Sequence, residues 1–202
     1  MFFDFDGVIA DTNDIAAEIG RIVCPTLTDE DHKRKFDGNI NDWFTGDFEH
    51  TDACRHDLDW WELYLPLFEK AHPFPGSIRA VQDIGENYRM AVISSTISSP
   101  IMEFLKRFDA AEYFDDIFGN DVHTSKVEKI NMLFARYELA PEHCVFVTDT
   151  LGDMREAEKA GVASIGVSWG FHDRARLEKG NPFKIVDHPH ELPEAVDAYF
   201  AG

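Results

Sequence analysis

Short apolar runs alternate with amphipathic helical stripes over most of this chain, and that alternation constrains its fold more than any other feature. The candidate strands are residues 1–5, 89–93, 117–118, 144–148, 164–168 and 184–186. Runs that are apolar on both faces suit strands covered by helices on both sides. Between them, Ile101, Phe104, Leu105 and Phe108 fall at i, i+3, i+4 and i+7, one buried stripe of a helix. Ile130, Leu133, Phe134 and Tyr137 repeat the pattern. Ser99-Pro100 predicts the start of the first of these helices, and Pro141 lies beyond the end of the second. Gly161 suits a left-handed cap after a helix over 152–160. The alternation predicts a doubly wound α/β fold, a parallel sheet with helices on both faces.

One stretch breaks the rhythm. Residues 13–74 contain no apolar β-run but hold Trp43, Trp60 and Trp61 and several helical patterns. Pro73-Phe74-Pro75-Gly76 then reads as a hinge or linker. The expected organisation is an α/β core from 1–12 and 75–202, with a small helical domain over 13–74 inserted after the first strand.

Charge narrows the partners. Asp plus Glu number 38 against 19 Lys plus Arg, a formal charge of −19 on 202 residues. A nucleic-acid binder needs a basic face to displace counterions, and an anionic membrane surface needs the same, so neither partner is expected. An acidic protein that handles an acidic substrate needs local help, most simply a metal ion. Cys24, Cys54 and Cys144 are odd in number, scattered and without a C-x-x-C pair, which reads as buried thiols in a reducing compartment. The N-terminus shows no secretory pattern and no stretch reaches the length of a membrane helix, so the expected location is cytoplasmic.

The residues that carry chemistry fall at strand ends. Asp4-Phe5-Asp6-Gly7 closes the first strand, where open parallel sheets bind ligands. Two carboxylates there suit a nucleophile and a general acid/base, and Gly7 permits a sharp exit. Ile93-Ser94-Ser95-Thr96 offers hydroxyls and turn N–H groups to a phosphate. Ser125-Lys126 opens a helix with a lysine suited to a phosphoryl oxygen, with Lys129 as a rival. Asp149 and Asp153 bracket the turn after the fourth strand and suit a hard cation such as Mg²⁺. Each motif alone is equally a turn or a helix cap; the four in this order, all at one edge of the sheet, are not.

With these motifs in place the chain resembles the haloacid dehalogenase superfamily of phosphotransferases over nearly its whole length, including Pro75-Gly76 and Ala160-Gly161-Val162. The resemblance implies a Rossmann-like core with a helical cap after the first strand. It implies Asp4 as nucleophile, Asp6 as general acid/base, Lys126 as the phosphoryl-neutralising lysine, and Ser94 as the phosphate-binding hydroxyl, with Ser95 and Gly7 beside it. Mg²⁺ would be held by Asp4, Asp6, Asp149 and Asp153 and by the Phe5 carbonyl. Thr148 departs from the family's glycine, and Val127 and Lys129 stand where many members have prolines. The implied activity is Mg²⁺-dependent hydrolysis of a small phosphomonoester through an aspartyl-phosphate.

Other activities compete. A phosphomutase of sugar phosphates uses the same residues, and a phosphate-binding member without catalysis would keep them. A carbon–halogen hydrolase needs neither Asp6 nor a metal, and a receiver domain places its lysine last and carries no cap. Within the cap, His32-Lys33-Arg34-Lys35 reads first as a solvated helix face, with contact to a second substrate anion as the alternative. The three tryptophans read first as core, and the nine histidines show no metal spacing. Residues 29–62 carry eleven acids against four bases, a net −7, which points to a neutral or cationic leaving group.

Overall fold

The computed structural model describes residues 1–45, 53–55 and 57–202, with side chains throughout except at 43–45; the Trp43 side chain therefore lies outside the described residues. Among the described residues eight strands are present: β1 (Phe2–Phe3), β2 (Ala10–Asp11), β3 (His72–Pro73), β4 (Met90–Ile93), β5 (Phe114–Phe118), β6 (Val145–Thr148), β7 (Ala163–Val167) and β8 (Lys184–Val186). Six form one parallel sheet in the order β5-β4-β1-β6-β7-β8. The chain winds outward from β1 through β4 to β5, then returns to the other side of β1 at β6. That reversal opens a crevice beyond the carboxyl ends of β1 and β6.

The period of two along each strand assigns side chains to the two faces. Phe3, Val92, Val145 and Val147 face one layer, packed with α4 (Ser77–Gly85), α5 (Ser98–Arg107) and α9 (Leu192–Ala201). Phe2, Ala91, Ile93 and Phe146 face the other, packed with α6 (Lys126–Tyr137) and α7 (Leu151–Lys159). Phe3 and Phe146 are fully buried, each contributing about 1.5–3 kcal/mol of burial. The two-layer cover is the Rossmann-like, doubly wound α/β arrangement that the alternation implies.

Between β2 and β3 run α1 (Asn13–Val23), α2 (Asp29–Arg34) and α3 (Trp60–Phe68). β2 and β3 pair antiparallel, Ala10 with Pro73 and Asp11 with His72. The stretch read as a hinge is thus partly a strand. Two residues per strand need only backbone pairing and leave no apolar pattern in the sequence. The helical segment rests on the core through Arg176 of α8 (Arg174–Leu177), whose guanidinium donates to both oxygens of Asp37 at 2.7 Å.

Three expectations change. β5 starts at Phe114, earlier than 117, because it is an edge strand whose Asp115 and Asp116 meet Arg89 (2.8 Å) and Arg136 (3.1 Å); those acids hide it from a search for apolar runs. The first expected helix begins at Ser98 rather than after a Ser99 cap, and the Ser98 hydroxyl accepts from Gly119 N–H and donates to Asp121. The three cysteines are not all free: Cys24 and Cys54 form a disulfide and only Cys144 is a buried thiol. Chain return across the helical segment, with Arg55 N–H donating to the Val23 carbonyl, brings the two together, which sequence spacing does not reveal. A disulfide counts against the reducing-compartment reading. Among the described residues, no helix is long and apolar enough to cross a membrane.

Gly152 marks where the helical segment and α7 press closest. A Cβ there would sit 2.3 Å from the Gly38 carbonyl oxygen and 2.8 Å from that of Phe36. Gly152→Ala is expected to cost about 1–3 kcal/mol, as overpacking does, and to lower Tm by several degrees in a calorimetric scan. An unchanged Tm would show that this contact does not set the position of the segment.

Candidate active site

β1 delivers Asp4 to the crevice. One oxygen of Asp4 accepts the Phe5 N–H at 2.7 Å and the other meets the Lys126 ammonium at 2.9 Å. Lys126 stands at the start of α6, whose N-terminus is capped by Ser125 and whose Lys126 N–H donates to Glu156 at 2.9 Å. Its ammonium also reaches Asp153 at 2.6 Å. Asp4, Lys126 and Asp153 are all buried. Burial lifts the Asp4 carboxyl well above the ordinary carboxylate range, with Lys126 opposing. Asp153 is held below that range: burial acts to raise it, but Lys126 and the Thr148 hydroxyl together outweigh it. Thr148, the departure from glycine, thus has a visible task, donating to Asp153 at 2.9 Å.

Asp6 sits two residues on, where the chain leaves the strand. Its Oδ1 accepts hydroxyls from Thr12 at 2.9 Å and Tyr64 at 2.6 Å, and Oδ2 accepts from Ser94 at 3.3 Å. Three hydroxyls hold this carboxylate, and one of them comes from α3. Ser94 is fully buried; its Oγ also accepts the Thr96 N–H at 2.9 Å. Ser95 and Thr96, not Ser94, line the cavity at the site. The Lys126/Lys129 ambiguity resolves in geometry: Lys129 is buried and donates to the Ser94 carbonyl at 2.5 Å, so it braces the loop after β4.

Gly7 is not among the residues lining the cavity and packs against Asp149. It has φ of 75° and a Cβ there would lie 1.9 Å from Asp149 Oδ2, so the backbone passes over that carboxylate where no side chain fits. Asp149 is fully buried; its Oδ2 accepts the Phe171 N–H at 2.7 Å and its Oδ1 has no partner.

That orphaned oxygen bears on the metal. Among the described residues no three acidic, His or Cys side chains converge as a metal cluster. Asp6 spends both oxygens on hydroxyls, and Asp153 spends Oδ2 on Lys126 and Thr148. The Phe5 carbonyl accepts the turn's Ile9 and Ala10 N–H groups at 2.9 and 3.1 Å. Asp4 likewise has both oxygens engaged, by the Phe5 N–H and Lys126, so of the four aspartates it is Asp149 that offers a buried oxygen without a partner. Two carboxylates, completed by water and substrate oxygens, are the usual protein share of a Mg²⁺ site, and an unpartnered buried carboxylate oxygen is the donor such an ion takes. The residues fit Mg²⁺ on that basis.

These groups meet a cavity of about 210 Å³ lined by Asp4, Asp6, Lys126, Asp153 and Ser95 on the core side. Opposite them stand residues that sequence reading missed or placed elsewhere. Trp60, Trp61 and Tyr64 line it, as does Lys35. The run from His32 to Lys35 is not a solvated face: His32 and Lys35 are both buried, as α2 packs its inner side on α1 and Phe171. His172, given no role from sequence, accepts the Leu151 N–H at Nδ1 (3.0 Å), so Nε2 carries the proton toward the Lys33 carbonyl at 2.9 Å. It ties the start of α7 to the helical segment. No spacing rule marks Tyr64 or His172, because their partners Asp6 and Lys33 lie 58 and 139 residues away, and none marks Lys35, whose burial comes from packing between elements.

A haloacid dehalogenase-like hydrolase family model matches residues 1–167, and the chain belongs to that family. Among curated relatives, it is 25% identical over 130 residues to a phosphoglycolate phosphatase of Vibrio parahaemolyticus, a match covering 62% of this chain and 57% of the relative. It is 23% identical over 207 residues to a phosphoglycolate phosphatase of Synechococcus elongatus, covering 97% and 96%. The match thus spans little more than half the Vibrio relative's length. Among solved structures, a haloacid dehalogenase-like hydrolase from Streptococcus pneumoniae superposes with a TM-score of 0.78 at 22% identity, over 98% of this chain and 96% of that one. A hydrolase from Pseudomonas syringae gives 0.78 at 16% identity, over 98% and 97%.

Burial pushes the Asp149 carboxyl up to about 8, against roughly 3.9 in an unfolded chain. Between those values the folded protein holds a proton that the unfolded chain has released, so stability falls as pH rises through the window. Without divalent cation, Tm is expected to drop between about pH 5 and pH 8. Asp149→Asn should flatten much of that slope, and Mg²⁺ should raise the Tm of the unmutated protein at the upper end. A slope unaffected by Asp149→Asn would refute the assignment.

Proposed function

We propose that this chain is a Mg²⁺-dependent phosphatase that hydrolyses a small phosphomonoester through an aspartyl-phosphate on Asp4, with the helical segment over 13–74 serving as its cap. The observation that carries the reading is Lys126, buried between Asp4 and Asp153 at 2.9 and 2.6 Å on the floor of a cavity that Asp6 also lines. The relatives' names agree with it.

A carboxylate attacks a phosphate against like-charge repulsion. Lys126 offsets that repulsion and neutralises phosphoryl oxygens as charge moves. Mg²⁺, held by Asp4 and Asp149, would supply further charge neutralisation at the same oxygens. Asp4 attacks phosphorus and the leaving oxygen departs with a proton from Asp6. Asp6 then takes a proton from the water that cleaves the acyl phosphate. Thr12, Tyr64 and Ser94 hold Asp6 in place for both steps. Trp60, Trp61 and Phe171 make the cavity wall apolar and limit water around the transferring group.

Phosphate release from p-nitrophenyl phosphate with Mg²⁺ tests this directly. Activity should vanish with EDTA and return with excess Mg²⁺. Asp4→Asn should lose about 10⁴-fold or more, as removal of a nucleophile does, while keeping its circular dichroism spectrum. In acid-quenched single turnovers with labelled substrate, phosphate should remain on the unmutated protein and not on the Asp4→Asn variant. Undiminished turnover in Asp4→Asn would sink the proposal. Transfer of phosphate within a sugar phosphate, without release, would identify the mutase instead.

A further inference from the structure

Phosphoryl transfer as drawn above uses the acids and Lys126 but leaves one charged group at the site without a task. Lys35 is only 6% exposed, yet it lines the same cavity as Asp4, Asp6 and Lys126. Its ammonium lies 5.6 Å from the ring centroids of both Phe36 and Trp60. Among the described residues no carboxylate comes within ion-pair distance of it. Aromatic faces attract a cation but replace only part of the hydration it loses. Burial alone brings its pKa down to about 8, so near neutral pH it is still mostly charged. A buried ammonium with no carboxylate partner among the described residues, on a residue that lines a ligand cavity, suits an anion.

We infer that Lys35 docks a second anionic group, a carboxylate or another phosphate, on the leaving side of a small phosphomonoester; the inference rests on the phosphatase reading of this site. The charge distribution supports it in a way the residue count conceals. Of the described residues that the helical segment contributes to the cavity, Lys35 alone is charged; Trp60, Trp61, Tyr64, Phe36 and Asn41 are among the rest. Among the described residues, the segment's acids face outward or are spoken for. Asp29, Glu30, Asp57 and Asp59 are exposed, and Asp37 is held by Arg176. Of the acids counted over 29–62, the described ones do not line the cavity. The ligand meets a cation on the floor, Lys126, and another on the opposite wall, Lys35. A cavity of about 210 Å³ is smaller than the roughly 300–1,000 Å³ of pockets for drug-sized ligands, so the two anions belong to one compact molecule.

The test compares kcat/KM for three Mg²⁺-dependent reactions: 2-phosphoglycolate, with a carboxylate; propane-1,3-diol bisphosphate, with a second phosphate; and ethyl phosphate, with neither. The unmutated protein should prefer at least one of the first two over ethyl phosphate, and which one it prefers identifies the anion. Lys35→Met should lower that preference about 10- to 100-fold, the range expected for a lost charged hydrogen bond, chiefly through KM. Lys35→Arg should restore part of it, which a merely structural role would not produce. Equal losses on all three substrates, or no preference in the unmutated protein, would overturn the role of Lys35 while leaving the phosphatase intact. Absence of phosphate release from every substrate, p-nitrophenyl phosphate included, would overturn both.

Discussion

The Lys126 ammonium, held out of water between Asp4 and Asp153, is the interaction around which the rest of this site is arranged. Burying a charge is costly unless hydrogen bonds and opposite charge surround it. Here two carboxylates answer one ammonium, and the protein holds them with fixed donors. Thr148 donates to Asp153, and the Phe5 N–H donates to Asp4. The remaining cost shows in the Asp4 and Asp149 carboxyls, both raised by burial.

The topology makes this arrangement possible. Reversal of winding at β1 places the tips of β1 and β6 side by side, so Asp4 and Asp149 converge although 145 positions separate them in the chain. The helix that follows β5 brings Lys126 from one side, and the loop after β4 brings Ser94 and Ser95. Close backbone passage does the rest. Gly7 and Gly170 lie where a Cβ would collide with Asp149 Oδ2, at 1.9 and 2.3 Å, and they shut that carboxylate away from bulk water.

The helical segment is joined to the core by apolar contacts, such as Phe68 with Phe5 and Phe104 and Phe36 with Phe171, and by polar ones. Arg176 with Asp37, His172 with the Lys33 carbonyl, and Asn39 with Glu156 cross between them. Tyr64 adds a direct link, since its hydroxyl reaches Asp6 only with α3 in place.

Much of this is legible in the amino-acid sequence. Strand and helix periodicities mark all six core strands and the helices carrying Lys126 and Asp153, because a doubly covered parallel sheet writes its burial into contiguous apolar runs. Asp4, Asp6, Lys126 and Asp153 are legible because each sits beside such a run, and folding brings them to one cavity. The edge strand's first half, the β2–β3 pair and the Cys24–Cys54 bond are not, since edge acids, two-residue pairings and chain returns leave no local pattern. Nor is the burial of Lys35. Sequence alone points to the run ending at Lys35 as solvated; folding turns Lys35 inward. Periodicity determines which face of an element is buried. Only packing between distant elements decides which buried charge meets a partner and which, like Asp149 Oδ1, does not.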